Sequence, residues 1–194
     1  MIVGDTQVFA IESGIATAYE RLSLLGLGFF VVHVGGYRYG IHEPHATMLA
    51  NSLAAIRSRI MSRGQHTAPF ASEPEAARVA TAFRQAFYAD DQEDFYFGLP
   101  LNDFTGLFAF HDLVWAPDGN EAFDDGSYIL QFDDGNRVRL IAFRSGQGGF
   151  PDLSTLRDVW MEADLFYETL DRWRAVFETE WANMPKRENQ PAST

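Results

Sequence analysis

At 194 residues, 46% of them hydrophobic, the chain can bury a core of its own, and this composition excludes an intrinsically disordered protein. The absence of cysteine excludes disulfides, thiol nucleophiles and zinc–thiolate sites. A formal net charge of −12 disfavours binding to nucleic acid or to an anionic membrane surface and favours a basic partner.

The first third of the chain predicts strands joined by a tight turn. Residues 7–12 predict a short strand, and residues 27–34 and 37–41 predict a hairpin. The Gly35-Gly36 pair between them suits the primed turns that join twisted strands. This turn predicts one apolar and one polar face. The apolar pairs are Val34 with Tyr37, Val32 with Tyr39 and Phe30 with Ile41, and the polar pair is His33 with Arg38.

Two amphipathic helices are predicted next. The first covers 46–62, where apolar residues recur at helical spacing: Leu49, Leu53, Ile56 and Ile60. The second opens at a capping-box pattern, Ser72-Glu73-Pro74-Glu75, and its apolar stripe is Val79, Phe83 and Phe87. It should end near Tyr88, because the acidic residues that follow are unfavourable at a helix C-terminus.

The second half of the chain predicts a short strand at 107–115, a second hairpin and a long helix at about 158–182. We place a three-residue loop at 134–136 in the hairpin, since a two-residue loop at 134–135 would oppose Leu130 to Arg139. The longer loop aligns apolar residues with one another: Tyr128, Leu130 and Phe132 with Ala142, Leu140 and Val138. It also sets Asp133 against Arg137 and Gln131 against Arg139 on an exposed face.

These elements predict an α+β fold, in which amphipathic helices, including the long C-terminal one, pack on an antiparallel sheet built from hairpins. We expect a single domain over 1–184 and a flexible tail over 185–194. The N-terminus lacks a secretory signal, and no stretch approaches the roughly 18 apolar residues of a membrane span. We therefore expect a cytoplasmic protein, either monomeric or homodimeric.

The segment His42-Glu43-Pro44-His45 is a candidate metal site. The zincin motif needs two histidines four residues apart on a helix, whereas here the spacing is three and Pro44 disfavours helix. A joint between a strand and a helix is the favoured interpretation. A metal-assisted enzyme built on His42, His45 and His111 stays open as an alternative. The sequence carries no recognisable catalytic motif, and we predict no cofactor.

Two acidic clusters are candidate binding sites. The first has four carboxylates in five residues: Asp90, Asp91, Glu93 and Asp94. The second is Asp124-Asp125. Such clusters are typical of a solvated loop, but they also suit a patch that binds a basic partner. We rank the first cluster higher, because nothing obliges that loop to be so charged.

Three segments carry a resemblance to a known family. The N-terminus MIVGDTQVFAIESGI fits a Met-Ile-x-Gly-x-x-x-x-Phe-Ala-Ile-Glu pattern, and GGYRYGIHEPHATMLANSLAAI and FDDGSYILQFDDGNRVRLIAF follow it in order. Together these segments resemble the bacterial Immunity protein 42 family. Residues 42–45 depart from the pattern, because Gly-Asp-like residues are expected where His-Glu-Pro-His stands.

The resemblance implies a cytoplasmic immunity protein, not an enzyme. Such proteins neutralise a cognate toxin, delivered by contact-dependent or type VI secretion, by stoichiometric binding. The toxin domain would be basic, and a nuclease fits this expectation because its active site must hold phosphates. The six acidic residues above are then candidate toxin-binding residues. A small-ligand-binding or regulatory module is the further alternative.

Overall fold

The computed structural model describes residues 1–115 and 121–187, and its first layer is a sheet of N-terminal strands. The strands are β1 (Ile2–Asp5), β2 (Phe9–Tyr19), β3 (Gly26–Val34), β4 (Tyr37–Tyr39) and β5 (Thr47–Met48). Strands β1 to β4 lie side by side in chain order, β5 pairs with β3, and all these pairs are antiparallel.

Three helices and a small hairpin follow. They are α1 (Leu49–Met61), α2 (Ala76–Tyr88), β6 (Phe95–Tyr96), β7 (Leu99–Pro100) and α3 (Leu101–Phe110). The acidic cluster at 90–94 is the connection between α2 and β6.

A second antiparallel sheet and the C-terminal helix complete the fold. The elements are β8 (Ser127–Asp134), β9 (Arg137–Ser145), β10 (Pro151–Glu162), α4 (Ala163–Asn183) and β11 (Lys186–Arg187). The sheet order is β10-β9-β8, and β11 returns to the first sheet, where it pairs in parallel with β2. The predicted α+β class and the long C-terminal helix are confirmed.

The second sheet lies between two hydrophobic cores. Successive residues of a strand point to opposite faces, and here both faces are covered. Ile129 and Leu140 join a core shared with the first sheet, α1 and α4. Leu130 and Ile141 join a second core made with α2 and α3. The acidic connection at 90–94 therefore lies beside the second core.

The first hairpin has the predicted register. Val34 pairs with Tyr37, Val32 with Tyr39 and His33 with Arg38. Gly35 and Gly36 take φ values of 56° and 78°, which a type I′ turn requires and which glycine adopts without steric cost. The expected pair of Phe30 with Ile41 is absent from the ladder, because β4 ends at Tyr39.

The predicted register of the second hairpin is wrong. The loop has two residues, Gly135 and Asn136, and the ladder pairs Asp134 with Arg137, Gln131 with Leu140 and Phe132 with Arg139. The prediction assumed one exposed face, so it paired apolar residues with each other. Because both faces are buried, a polar residue can oppose an apolar one: Gln131 and Arg139 are both almost fully buried.

Two further predictions are wrong in part. Residues 101–110 form α3 where a strand was predicted at 107–115, because Phe104 and Phe108 fall on one buried helical face. Extended pairing there is limited to a bridge between Val114 and Leu130. The C-terminal helix begins at Ala163, since residues 158–162 pair with β9 as part of β10.

The helix ends after the first hairpin are close to those predicted. Helix α1 begins at Leu49, and α2 ends at Tyr88 as expected but begins at Ala76. Glu75 occupies its N-cap without a side-chain hydrogen bond, so the expected capping box does not form. The division into a domain at 1–184 and a flexible tail stays a prediction. Lys186 and Arg187 pair with β2, and residues 188–194 lie outside the described residues.

Candidate functional site

The four carboxylates of the first acidic cluster are all exposed. Asp90, Asp91, Glu93 and Asp94 point away from both cores, and none forms an ion pair within residues 1–115 and 121–187. Four unneutralised negative charges in five residues produce a strong local field, which attracts cations over about one Debye length, roughly 8 Å at physiological salt.

Three hydrogen bonds hold this connection in place. The Gln92 side-chain amide donates to the Ala86 carbonyl at 3.0 Å, which ties the connection to α2. The Glu93 backbone N–H donates to the Tyr96 hydroxyl at 3.0 Å. The Leu101 N–H donates to the Asp94 carbonyl at 2.9 Å. Because its backbone is held by these bonds, the connection would lose less conformational entropy when a partner binds than a free loop would.

Exposed aromatic rings flank the acidic cluster. Phe87 and Tyr88, at the end of α2, are each 38% exposed, and Phe95, at the start of β6, is 61% exposed. We call this surface the acidic–aromatic face and define it by seven residues: Asp90, Asp91, Glu93, Asp94, Phe87, Tyr88 and Phe95. Large aromatic side chains supply much of the binding energy at protein interfaces.

The sequence prediction missed the aromatic part of this face. Phe87 was expected in the core, because it continues the helical stripe of Val79 and Phe83. It does contact the Phe83 ring, at 5.0 Å between centroids, but its outer side faces solvent. Phe95 follows the acidic cluster directly, and that adjacency was the available signal.

An open groove borders the acidic–aromatic face. It lies between α2 and residues 93–97 and has a volume of about 340 Å³. Ala77 and Thr81 line its helix side, and Phe95 and Phe97 line the opposite side. Glu93 belongs to both the groove and the acidic cluster.

The second acidic cluster is not equivalent to the first. Asp124 is exposed, whereas the Asp125 carboxylate forms an ion pair with Arg144 at 2.8 Å. Asp125 also accepts hydrogen bonds from the backbone N–H groups of Ser127, at 3.1 Å, and Gly40, at 3.2 Å. This carboxylate joins three parts of the chain, so its charge is largely neutralised within the fold.

Two of the three histidines of the candidate metal site, His42 and His111, contact different groups of the protein. His42 Nε2 lies 2.9 Å from one oxygen of Glu12, and His33 Nε2 lies 2.9 Å from the other. His111 Nδ1 lies 2.8 Å from the Gln65 carbonyl, and His45 is exposed. The described residues contain no group of three histidine, aspartate or glutamate side chains placed to hold a metal ion.

The Glu12 carboxylate contacts two histidines, His33 and His42. Partial burial acts to raise the pKa of its carboxyl, but the hydrogen bonds with His33 and His42 outweigh that effect, so the pKa lies below its usual value. Because Glu12 lies on β2, its two contacts connect this strand with His33 on β3 and with His42 in the segment after β4.

A buried polar network lies beneath α1 and α4. The Arg59 guanidinium donates to the Asp112 and Val114 carbonyls and to the Gln131 side chain, at 2.8–3.1 Å. Burial lowers the pKa of Arg59 to about 10. Gln131 in turn contacts Asp133 and Tyr167. The side chains of Arg59, Gln131, Asp133 and Tyr167 are buried and bond mainly to groups of the same chain, so we assign them to the fold.

None of the helices in the described ranges combines the length and the apolarity that a membrane crossing requires.

Comparison with known proteins identifies the family of the chain. The comparison with curated proteins finds no match. Among solved structures, the fold is similar to the crystal structure of CdiI from Burkholderia dolosa AUO158, with a TM-score of 0.57 and 16% identity over 91% of this chain and 99% of that chain. At this identity the likeness shows the fold alone. The family model for Immunity protein 42 matches residues 1–176, so the chain belongs to the Immunity protein 42 family.

Proposed function

We propose that this immunity protein acts in the cytoplasm, where it binds the toxin domain of a cognate secreted effector in a stoichiometric complex and so neutralises it. Membership of the Immunity protein 42 family supports the immunity role. The likeness of its fold to that of a CdiI protein supports a toxin delivered by contact-dependent inhibition, and type VI delivery is the alternative route.

We further propose that the acidic–aromatic face is the surface that binds the toxin. One observation carries this assignment: four exposed carboxylates, which form no ion pair in the described ranges, lie on a hydrogen-bonded backbone beside three exposed aromatic rings. The carboxylates would steer a cationic domain to the face and speed its association. The rings would then supply the apolar contact area that keeps the complex together.

A nuclease is the toxin class that this chemistry fits best. An active site that holds nucleic-acid phosphates must be cationic, and a cluster of fixed carboxylates can occupy it in place of the substrate. The net charge of −12 strengthens the long-range attraction. The Asp124-Asp125 cluster is the weaker candidate, because Asp125 is neutralised by Arg144.

Co-expression with the toxin domain encoded beside this gene tests the proposed function. Cells that produce both proteins should grow, and the two proteins should co-purify as a complex of fixed stoichiometry. Isothermal titration should give a heat that saturates at that ratio. Growth protection without any complex would contradict the binding mechanism, and a complex without protection would contradict the immunity role.

A further inference from the structure

We propose that the groove beside the acidic–aromatic face receives one arginine side chain of the partner. The inference rests on the proposed function, because it concerns how the same surface recognises a basic toxin. It goes further in assigning one chemical group of the partner to one place on this protein. The groove between α2 and residues 93–97 has the shape, the charge and the aromatic lining that a guanidinium group requires.

The shape of the groove follows from the sequence of α2. Ala77, Thr81 and Gln85 stand four residues apart, so they lie above one another on one face of the helix. The first two are small and leave an opening between the helix and the Phe95–Phe97 segment. The volume of about 340 Å³ is at the low end of the range of about 300–1,000 Å³ for small-molecule sites. One long side chain therefore suits it better than a helix or a strand.

The groove carries one charge that has no ion-pair partner among the described residues, and this charge is negative. Two charged residues line the groove, Arg78 and Glu93. The Arg78 guanidinium already forms an ion pair with Glu73, at 3.0 Å, so its charge is compensated within the protein. Glu93 has no such partner among the described residues, and its backbone N–H is fixed by the Tyr96 hydroxyl. The unpaired carboxylate favours a cation and disfavours an anion.

The aromatic lining distinguishes arginine from lysine. Phe95, which is 61% exposed, and Phe97 line the groove on the side opposite α2. A guanidinium is planar and weakly hydrated, so it can stack on a ring while it pairs with a carboxylate, whereas an ammonium holds its water more strongly. Arg78 provides an internal example, since its guanidinium lies 5.6 Å from the centroid of the Phe97 ring.

The Phe97 wall is rigid. Phe97 and Gly98 form the two-residue turn between β6 and β7, with φ values of 52° and 77°. A residue with a Cβ is strained in this left-handed region. Stacking of the Phe97 ring on Phe70, at 5.1 Å and 19° between planes, offsets part of that strain. The ring is thus held in place before any partner arrives.

The groove can be tested on the isolated protein by amide NMR. The probes are the blocked amino acids N-acetyl-arginine amide, N-acetyl-lysine amide and N-acetyl-citrulline amide, of which citrulline has the shape of arginine without its charge. We expect arginine to cause saturable shifts, in the millimolar range, at Thr81, Gln85, Glu93 and Phe97, lysine to bind more weakly, and citrulline to cause none. Absence of saturable arginine shifts, or equal shifts with citrulline, overturns the inference.

Variants locate the probe in the groove. E93Q removes the charge, T81W fills the opening, and Q85K places a competing cation beside it. Each should weaken arginine binding about tenfold or more, whereas T179K, on the exposed surface of α4, makes the same charge change elsewhere and should leave it unaltered. Spectra of the variants also report whether they fold. Unchanged arginine binding in folded Q85K and T81W overturns the inference.

Binding to the toxin domain separates this inference from the proposed function. If the wild-type protein binds no toxin, the proposed function fails, whatever the NMR experiment shows. If the wild-type protein binds and folded T81W and Q85K bind equally well, the groove assignment fails and the proposed function stands. If the assignment is right, both variants bind about tenfold or more weakly, T179K does not, and replacement of one surface arginine of the toxin by lysine has the same effect.

Discussion

The Tyr167 hydroxyl lies 2.9 Å from both carboxylate oxygens of Asp133, and the two side chains join α4 to β8 inside the protein. Asp133 Oδ2 also accepts a hydrogen bond from the Gly64 N–H at 2.7 Å, so the same carboxylate holds the segment that follows α1. Burial, together with the neighbouring Asp133, raises the pKa of Tyr167 above its usual value. The hydroxyl therefore stays protonated and acts as a donor.

Replacement of Tyr167 by phenylalanine should destabilise the fold. The change removes a donor from a buried carboxylate, and a buried polar group left without a partner costs about 1–3 kcal/mol, or more when it is charged. Urea denaturation measures the loss. Tyr19→Phe is a matched control, because no hydrogen bond of the Tyr19 hydroxyl exists within the described residues, and it should stay within about 0.5 kcal/mol of wild type. Equal stability of Tyr167→Phe and wild type would contradict the role assigned to this bond.

Arg59→Met should also destabilise the fold, by about 3 kcal/mol. Methionine matches the length of the arginine stem, but it leaves the Asp112 and Val114 carbonyls and the Gln131 side chain without their donor. Arg57→Met is the control, two residues earlier on α1. It removes only an exposed ion pair with Glu178 and should cost less than about 1 kcal/mol. Guanidinium denaturation compares the two. A smaller loss for Arg59→Met than for Arg57→Met would refute the buried network.

Stability should fall at alkaline pH, partly through Tyr39. Burial, opposed mainly by Arg157, raises the pKa of this tyrosine above its ordinary value of 10.0. The unfolded chain therefore loses the proton first as the pH rises, and the stabilisation that is present below pH 10.0 is lost above it, by up to about 1.4 kcal/mol per pH unit.

Tyr39→Phe tests that origin. The variant loses hydrogen bonds to the Thr155 and Ala142 carbonyls, so it should be about 1–2 kcal/mol less stable than wild type at neutral pH. Because phenylalanine does not ionise, the difference should shrink above pH 10.0. Denaturation curves at neutral pH and above pH 10.0 measure the difference in stability between the variant and wild type. A difference that stays constant would show that Tyr39 does not contribute to the alkaline loss of stability.

Glu12→Gln should act at the acid end. The pKa of Glu12 lies below its ordinary value of 4.5, so its stabilisation is present above that pH and is lost as the pH falls through the folded value. The variant should be about 1 kcal/mol less stable at neutral pH and should approach wild type in acid. Glu20→Gln, at an exposed position, is the control and should match wild type throughout. If the difference in stability between Glu12→Gln and wild type widened in acid, the assigned direction of the Glu12 pKa shift would be wrong.

A metal analysis tests the rival enzyme hypothesis. Because His42 and His111 have separate partners, the purified protein should contain no stoichiometric zinc or nickel, and added zinc should leave its melting temperature unchanged. Stoichiometric metal, or a rise in melting temperature with zinc, would revive a metal site. A thermal-shift screen against metabolites tests the small-ligand alternative in the same way.

Local patterns predicted the parts of the fold that depend on local chemistry. The Gly35-Gly36 turn and the alternation around it determined the first hairpin, and the acidic residues after Tyr88 marked both a helix end and an exposed connection. The predicted register of the second hairpin was wrong, because the register depends on what covers both faces of the sheet. The buried Arg139 guanidinium forms an ion pair with Asp158 and donates hydrogen bonds to the Ala71 and Glu73 carbonyls. No local sequence pattern reveals those partners.

The candidate site shows the same division. The exposure of Asp90 to Asp94 follows from their charge, because unpaired carboxylates are rarely buried. The different state of Asp125 could not be read from the sequence, since it depends on Arg144 and Gly40, which are distant along the chain. The contact of His42 with Glu12 is equally non-local, since the two residues are 30 positions apart in the sequence.

The association rate with the toxin domain tests the role of the acidic–aromatic face most directly. The variant replaces Asp90, Asp91, Glu93 and Asp94 by their amides. The matched control removes the same charge from four exposed glutamates without ion pairs in the described part of the chain: Glu20, Glu43, Glu121 and Glu168. Stopped-flow measurements at several salt concentrations should show that the face variant associates about tenfold or more slowly, with a weaker salt dependence, while the control stays near wild type. Equal rates for the face variant and the control would show that this face does not bind the toxin.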